Sequence, residues 1–352
     1  MAPQLGRTAT WNDLPIEFVM SVAKYLDFKS RQTFRQCAKR EKFSVDDIPI
    51  NLDMIAITPK LEYFSRKQLF KFETYEKVVI LTSKQTIASL LRIFGHKNSS
   101  VEFVEIGNQY TKRNAKKLLE LIKKLYVQVD VLDKPMSWNV KQLVWNASSD
   151  EKVFPKFLGF LNAERLNSLT VGYFKNKNGT NFEVVSRMEQ WQKLGEAHIG
   201  DSKNLSCGLS SFHHLTVVRL MMNAAQPQDI NLFIEKILEK SNLPMGSYFA
   251  LKCDKPIFDS NFISHIAMKF NDPIIRCQRI YIRMFQLELL KFVFPHDPEF
   301  SLMVFGIENA LFGYIVHDNR FGWDITERFI RFKFSDMFRV WPRDILQIQV
   351  DW

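Results

Sequence analysis

The sequence is poor in cysteine, and its cysteines follow no recognisable pattern. Only 4 occur among 352 residues, with long and unequal gaps and no Cys-x-x-Cys pair. A disulfide framework or a zinc module needs closer and more regular spacing, so neither is expected. No cysteine has the neighbours of a catalytic nucleophile. They are Cys37, Cys207, Cys253 and Cys277. This usage is typical of a protein in a reducing compartment.

Long apolar runs are also absent. The sequence contains no stretch of about 18 uncharged apolar residues, the length that a membrane-spanning helix needs. Its first ten residues hold no apolar segment like the centre of a signal peptide. We therefore expect a soluble protein of the cytoplasm or nucleus, without a membrane partner.

Phosphate-binding loops and metal-ligand clusters are missing too. No Gly-x-Gly-x-x-Gly occurs, and the glycines of 195–200 have P-loop spacing but are followed by Asp201-Ser202 instead of Lys-Ser/Thr. Cys207 lies near His213 and His214, yet adjacent histidines in a strand point to opposite faces. The sequence therefore predicts no cofactor, no metal site and no enzyme activity.

Size and charge set the outer limits of the architecture. The chain has 46% hydrophobic residues, which is enough for a substantial core, and its length fits a small module followed by a large one. The formal net charge is +10. Such a surplus makes an acidic partner conceivable without requiring one.

The N-terminus reads as a small helical module over residues 1–50. Pro15 suits the first turn of a helix ending near Leu26, and Asp27 is a good N-cap for a second helix over about 29–39. Val19, Val22 and Leu26 form one apolar stripe. The flanking apolar residues Leu14, Pro15, Phe18 and Tyr25 widen it. A module this small has too little volume to bury both the stripe and the flanking apolar residues. Part of this apolar area must therefore contact another element or another protein.

These residues resemble the F-box, in the version found in nematode proteins. The matching positions are Leu14-Pro15-x-Glu17, Val22, Tyr25-Leu26-Asp27, Ser30-Arg31, Arg35, Cys37 and Lys39. The sequence departs from the pattern after Lys39, where many F-boxes have a Trp and this chain has Arg40-Glu41-Lys42-Phe43. The resemblance implies that the module docks on a Skp-family linker protein and, through it, on a cullin. The implied docking residues are Leu14, Pro15, Val19, Val22, Leu26 and Phe34.

Beyond a connector at 51–74, residues 75–279 alternate short strands with amphipathic helices, which predicts an α/β fold. Strand-plus-helix units of this length favour a leucine-rich-repeat-like stack, with a conventional open sheet as the competitor. The predicted strands are 78–81, 103–106, 127–131, 142–145, 168–171, 197–199, 216–221 and 248–251. The predicted helices are 84–94, 112–125, 153–161, 188–194, 229–238 and 261–270.

The last part of the chain changes character. Residues 280–352 contain β-prone runs at 280–282, 300–304, 314–316 and 328–334, with one predicted helix at 286–294. We expect this segment to be a β-rich, antiparallel cap or an edge sheet, because terminal repeats of a stack differ from the rest.

A second resemblance lies in the middle of the chain. Glu189-Gln190-Trp191-Gln192, followed by a short strand, then 215–220 and a helix opened by Asp229, resembles the FTH (FOG-two-homology) domain found after F-boxes. The resemblance covers about residues 60–320. It implies a substrate receptor with its target-binding region after the F-box.

Two functional hypotheses follow. The first is a non-catalytic subunit of a Skp/cullin/F-box ubiquitin ligase, which binds an unknown protein target through its α/β region and leads it to ubiquitin-dependent degradation. The alternative is a basic, solenoid-like module that binds nucleic acid or protein without a ligase. Six basic residues on one side of a predicted helix motivate this alternative: Lys112, Arg113, Lys116, Lys117, Lys123 and Lys124.

Overall fold

The protein is known from a computed structural model. It describes residues 10–26, 28–60, 69–75, 77–107, 112–131, 137–147, 153–172, 182–200, 208–241, 244, 246–257, 260–270, 278–282, 285–307 and 309–317. The chain divides into two compact units, each described separately below. The first unit comprises 1–148 and 156–166, and the second comprises 149–155 and 167–352.

The described residues form a mixed α/β structure, which confirms the predicted fold class. The helices are α1 (Ile16–Tyr25), α2 (Phe28–Arg35), α3 (Lys39–Asp46), α4 (Ser83–Phe94), α5 (Lys112–Val131), α6 (Val153–Leu158), α7 (Phe182–Ser186), α8 (Glu189–Gln192), α9 (Pro227–Leu238) and α10 (Ser260–Lys269). The strands are β1 (Asn51–Pro59), β2 (Leu69–Thr74), β3 (Val78–Thr82), β4 (Ser100–Ile106), β5 (Asn139–Trp145), β6 (Ser168–Val171), β7 (Glu196–Ile199), β8 (Val217–Met222), β9 (Tyr248–Cys253), β10 (Gln278–Ile282), β11 (Phe285–Phe294), β12 (Asp297–Ile307) and β13 (Ala310–His317).

The first unit begins with three short helices and continues into a sheet of order β3-β2-β1-β4-β5. β1 pairs in parallel with β4 and antiparallel with β2, and β4 pairs in parallel with β5. Residues 51–74 were expected to be a connector, but their described part forms β1 and β2. Ile55 and Ile57 of β1 are buried, so this segment contributes to the core.

Helix α4 shows how local sequence fixes an element boundary in this unit. Thr82 precedes the helix, and its hydroxyl accepts a hydrogen bond from the backbone N–H of Gln85. The Gln85 side chain accepts the backbone N–H of Thr82 at 2.9 Å in return. This reciprocal pair satisfies two donors that a helix start leaves without partners. The predicted start at residue 84 is therefore one residue late.

An aromatic cluster forms the centre of the core in the first unit. The rings of Phe94 and Trp138 stack with centroids 4.1 Å apart. Phe157 meets Trp138 edge to face at 5.7 Å. Trp138 and Phe157 are each 1% exposed. Large rings in such arrangements provide much of the apolar area that a core of this size buries.

In the second unit the sheet order is β6-β7-β8-β9-β13-β12-β11-β10. The pairs β6–β7, β7–β8 and β8–β9 are parallel and follow chain order without reversal, as expected for stacked strand–helix units. β13 returns antiparallel to β9, and β10 to β13 form an antiparallel meander. The predicted antiparallel character of the C-terminal segment therefore holds for its described part, while 328–334 lies outside the described residues.

Two predicted elements are wrong. Residues 127–131 were expected to be a strand, but they form the end of α5, because Ile122, Tyr126 and Val129 are buried at helical spacing along one stripe. Residues 286–294 were expected to be a helix, but they form β11. Leu290, Phe292 and Phe294 are buried at a spacing of two, which is the period of a strand.

Candidate functional site

The candidate site lies on the N-terminal helices, around the exposed side of α1. Leu14 and Pro15 directly precede α1, and Phe18, Val22 and Tyr25 share one side of it at spacings of four and three residues. We call the surface formed by Leu14, Pro15, Phe18, Val22, Tyr25 and Leu26 the apolar face. It includes four of the six predicted docking residues.

Several side chains of the apolar face are open to solvent to an unusual degree for their type. Phe18 is 51% exposed and Tyr25 is 92% exposed, while Val22 and Leu26 are half-buried. Pro15 is exposed and Leu14 is half-buried. Clustered apolar exposure of this kind is typical of surfaces that contact a partner.

The other two predicted docking residues are not part of the apolar face: Val19 is fully buried, and Phe34 is half-buried. Val19 is 0% exposed, so its side chain supports the apolar face from beneath and has no surface to offer a partner. Phe34 is partly buried and packs against the cluster of Ala23, Val45 and Ile48. Of the six predicted docking residues, Val19 alone is fully buried, while Phe34 is as half-buried as Leu14, Val22 and Leu26 but packs toward the interior cluster.

Helix α3 holds the segment that carries Leu14 and Pro15. The guanidinium of Arg40 donates to the backbone oxygen of Asn12 at 2.8 Å and also to that of Leu14. Trp11 Nε1 donates to Glu41 Oε1 at 2.8 Å, and the Trp11 ring meets Phe34 edge to face at 5.7 Å. Two adjacent residues of α3 therefore fix the chain just before α1.

Two further arginines fix the remaining ends of the module. Arg31 donates to the backbone oxygens of Lys24 and Leu26, both at 2.8 Å, and to that of Pro49 at 3.0 Å. It thereby joins the end of α1 to the residues before β1. Arg35 forms a bidentate pair with Asp46, with distances of 2.5 and 3.1 Å, which links α2 to α3. The predicted N-cap Asp27 lies outside the described residues.

The carboxylate of Asp13 stabilises the turn before α1. The backbone N–H and the hydroxyl of Thr10 both donate to the same oxygen of Asp13, at 2.8 and 2.7 Å. These bonds favour the carboxylate form, so they lower the pKa of Asp13, with the backbone bond as the larger cause. The carboxylate closes the short 3₁₀ turn Trp11–Asp13.

Comparison with known families matches this architecture. A family described as the F-box domain matches residues 11–53, which include all three N-terminal helices. A family described as the FTH domain matches residues 127–273. The chain contains an F-box domain followed by an FTH domain. No curated protein matches the chain.

F-box domains bind a Skp-family linker and, through it, a cullin, and F-box proteins are generally adaptors rather than enzymes. The F-box here supports a substrate-adaptor role in Skp/cullin/F-box ubiquitin ligases. Its apolar face is a surface of this domain with exposed apolar side chains. The FTH match is shorter than the expected span of about 60–320, but it includes the Glu-Gln-Trp element.

Within the FTH domain, that element is structural. Trp191 of α8 is 0% exposed and packs against Phe182 and Phe212 with centroid distances of 5.8 and 5.2 Å. Its Nε1 donates to the backbone oxygen of Ser211 at 3.1 Å. Trp191 therefore ties α8 to α7 and to the 3₁₀ turn Leu209–Phe212, and it is not available to a partner.

The residues considered for phosphate or metal binding have ordinary structural roles. Residues 196–199 form β7, so the glycines that frame them do not enclose a phosphate-binding loop. His213 Nδ1 lies against the backbone oxygen of Ser210, and His214 Nε2 lies 2.8 Å from that of Trp191. Among the described residues, no group of three or more His, Cys, Asp or Glu is placed to hold a metal ion.

Two buried titratable groups are held in their neutral forms. Burial, followed by the charge of Asp254, raises the pKa of the Cys253 thiol to about 12, so the thiolate that a nucleophile needs is disfavoured. Burial, followed by the charge of Arg219 on β8, lowers the pKa of His198 on β7 to about 3. Cys37 is exposed, while Cys207 and Cys277 lie outside the described residues.

The basic side of α5 is partly as predicted. Lys116, Lys123 and Lys124 are exposed, and Lys117 is half-buried. Lys112 and Arg113 belong to the helix, but their side chains are not among the described parts of the chain. Within the described ranges, no helix is long and apolar enough to cross a membrane.

Sequence reasoning did not assign Trp11, Arg40 and Glu41 to the site. The available signal was the departure from the F-box pattern over residues 40–43, where this chain has Arg-Glu-Lys-Phe and many F-boxes have a Trp. Phe18 and Tyr25 were recognised as apolar but were not assigned as docking residues. Their exposure depends on which side of α1 faces α3, and that packing is not visible in the periodicity.

Proposed function

We propose that this protein is the substrate-recognition subunit of a Skp/cullin/F-box ubiquitin ligase in the cytoplasm or nucleus. The F-box docks on a Skp-family linker through the apolar face, and the α/β region holds a protein target. The subunit acts by proximity: it raises the effective concentration of the target near the charged ubiquitin-conjugating enzyme. No residue of this chain takes part in bond chemistry.

The observation that carries this proposal is the solvent exposure of Phe18 and Tyr25 on a helix whose inner side, with Val19 and Ala23, is fully buried. A partner that covers the apolar face removes about 25 cal/mol of unfavourable free energy per Å² of apolar surface. The hydrogen bonds from Arg40 to the backbone oxygens of Asn12 and Leu14 support the same conclusion, because they hold Leu14 and Pro15 in place before a partner binds. Such preorganisation lowers the entropy cost of binding.

The test is direct binding of the full-length protein to a purified Skp-family linker. We expect Leu14→Ala/Pro15→Ala to weaken binding, while Tyr75→Ala leaves it unchanged. Tyr75 is a suitable control because it is 83% exposed and lies outside the F-box. If the double variant stays folded and binds as tightly as the parent, the assigned docking surface is wrong.

The second candidate is the basic module that binds nucleic acid, and the exposed lysines of α5 favour it. Phosphate contacts release counterions, so the affinity for RNA or heparin must fall steeply with salt concentration. Retention that does not change with salt would exclude this function.

The proposal also assigns roles along the chain. We assign linker binding to residues 1–50, a repeat-like target-binding region to 75–279 and a cap to 280–352. The fate of the target in this scheme is ubiquitin-dependent degradation.

A further inference from the structure

A groove opens between α4 and α5 in the first unit. Its volume is about 520 Å³, which is within the range of sites that hold a ligand or a short peptide segment. The lining residues that matter here are Lys84, Ile87, Ala88 and Leu91 from α4 and Lys124 and Val127 from α5. Neither helix is part of the F-box, so the groove is separate from the apolar face.

The floor and one wall of the groove are apolar. Ile87 is 7% exposed, Leu91 is half-buried and Ala88 is exposed, and these three lie on one side of α4 at helical spacing. On α5, Val127 is 59% exposed and Val131, one turn further, is 75% exposed. Val131 is not among the lining residues, and it extends the exposed apolar side of α5 beyond the groove. Clustered apolar exposure of this kind is typical of surfaces that contact a partner.

The same two helices carry most of the net positive charge of the protein. α4 has two cationic residues and no acidic one, and α5 has six cationic residues and two acidic ones. Their net charge is therefore +6, against +10 for the whole chain. Lys84 and Lys124 lie in the lining itself, and no acidic side chain is among the described residues that line the groove.

We propose that this groove binds a segment of the target protein that combines acidic residues with apolar side chains. The apolar side chains cover Ile87, Leu91 and Val127, and the carboxylates face Lys84 and Lys124. This inference rests on the proposed function, because it names the kind of target segment that the receptor accepts.

The composition of the groove favours an acidic peptide over a nucleic acid. Both are anionic, but single-stranded nucleic acids bind by stacking their bases on aromatic side chains. The described lining residues include no aromatic ring, and the aliphatic floor offers nothing to a phosphate backbone. An acidic segment with apolar side chains uses both parts of the surface, the charge and the floor.

The experiment is a selection from a displayed library of random 16-residue peptides on the full-length protein, with counter-selection on Lys84→Glu/Lys124→Glu. We expect the enriched peptides to combine Asp or Glu with Leu, Ile, Val or Phe. For a synthetic peptide of the enriched sequence, the charge-reversed variant should weaken binding by about tenfold or more, because two attractions become repulsions.

Two variants separate the charge from the groove. Lys97→Glu/Lys255→Glu is the charge-matched control, since both lysines are exposed and lie outside the groove, and it should retain binding to within about twofold. Ala88→Gln keeps the charge but places a polar side chain in the groove. It should weaken peptide binding by several fold and leave any binding of a single-stranded RNA of 20 uracils unchanged.

Each outcome supports or contradicts peptide binding in the groove, and failure of this inference can be distinguished from failure of the proposed function. Enrichment of acidic–apolar peptides, with loss of binding in the charge-reversed and Ala88→Gln variants, supports the proposal. Three results would overturn it: enriched peptides without this composition, peptide binding by the charge-reversed and Ala88→Gln variants that equals that of the parent, or binding of the RNA alone. Linker binding by each variant is measured in parallel. Failure of the groove with intact linker binding contradicts only this inference, and absence of linker binding in the unmodified protein contradicts the proposed function.

Discussion

Truncation of Phe18 tests the docking surface most sharply. A Phe side chain offers about 200 Å² of apolar area. Since 51% of Phe18 is exposed, a linker that covers it buries about 100 Å². At about 25 cal/mol per Å² this area is worth about 2.5 kcal/mol, or about 60-fold in Kd. Because buried area converts only partly into affinity, we expect Phe18→Ala to raise Kd by about 10- to 60-fold.

Val19→Ala is the matched comparison on the same helix. Val19 is 0% exposed, so truncation removes two methyl groups from the interior and leaves the apolar face unchanged. We expect the free energy of unfolding to fall by about 2 kcal/mol, through lost burial and the cavity that remains. Linker affinity should change by less than about twofold while the protein stays folded.

The assay is isothermal titration of the full-length variants with a Skp-family linker, and circular dichroism gives the folded fraction of each variant. Tyr75→Ala serves as the control for loss of an exposed aromatic ring. The reasoning is refuted if Phe18→Ala binds as tightly as the parent. It is also refuted if Val19→Ala weakens binding as much as Phe18→Ala at equal folded fraction.

Three further predictions concern the hydrogen bonds of Arg40, the buried His198 and the β13 backbone at Gly313. Arg40→Ala should weaken linker binding by several fold without loss of helical circular dichroism, because the backbone oxygens of Asn12 and Leu14 lose a charged donor; an unchanged Kd would contradict this role. The pKa of His198 is about 3 when folded and about 6.5 when unfolded, so only the unfolded chain takes up a proton there as the pH falls below 6.5, and stability declines until the pH approaches 3. Between pH 7 and pH 5 the parent should therefore lose about 2 kcal/mol more than His198→Gln in urea unfolding, and parallel pH profiles would argue against this. Gly313→Ala should lower the unfolding midpoint markedly, since a Cβ there would lie 2.1 Å from the Phe249 ring, and a midpoint within the error of the parent would show that this contact is not rigid.

Elements with strong local signals were predictable. The strand at 168–171 was predicted with its observed bounds, and α4 and β7 were predicted to within one residue at each end. These segments have a capping residue or a short β-rich run between turns, and the structure preserves that local preference. The F-box was recognisable for a similar reason, because its residues follow in a fixed order over a short span.

The errors lie where local patterns are ambiguous. Residues 127–131 alternate valine with polar residues, which is the period of a strand over so short a window. No Gly or Pro stands between these residues and the preceding turns of α5, and the burial of Val129 in the helical stripe continues the helix to Val131. In β11 the apolar residues fit both periods, and the decision comes from pairing with β12, where Leu290 is opposite Val304. Such pairing is non-local, so propensity alone does not determine it.

By itself the sequence determined the module order, the α/β character, and the set of residues from which the proposed docking surface is drawn. These properties follow from short-range spacing, which a single chain displays directly. Only the tertiary structure decided that Val19 faces inward while Phe18 and Tyr25 face solvent, and that Arg40 reaches the backbone before α1. It alone placed Val127 of α5 beside α4. Which side of a helix is covered depends on residues distant in the sequence, and those contacts exist only after the chain has folded.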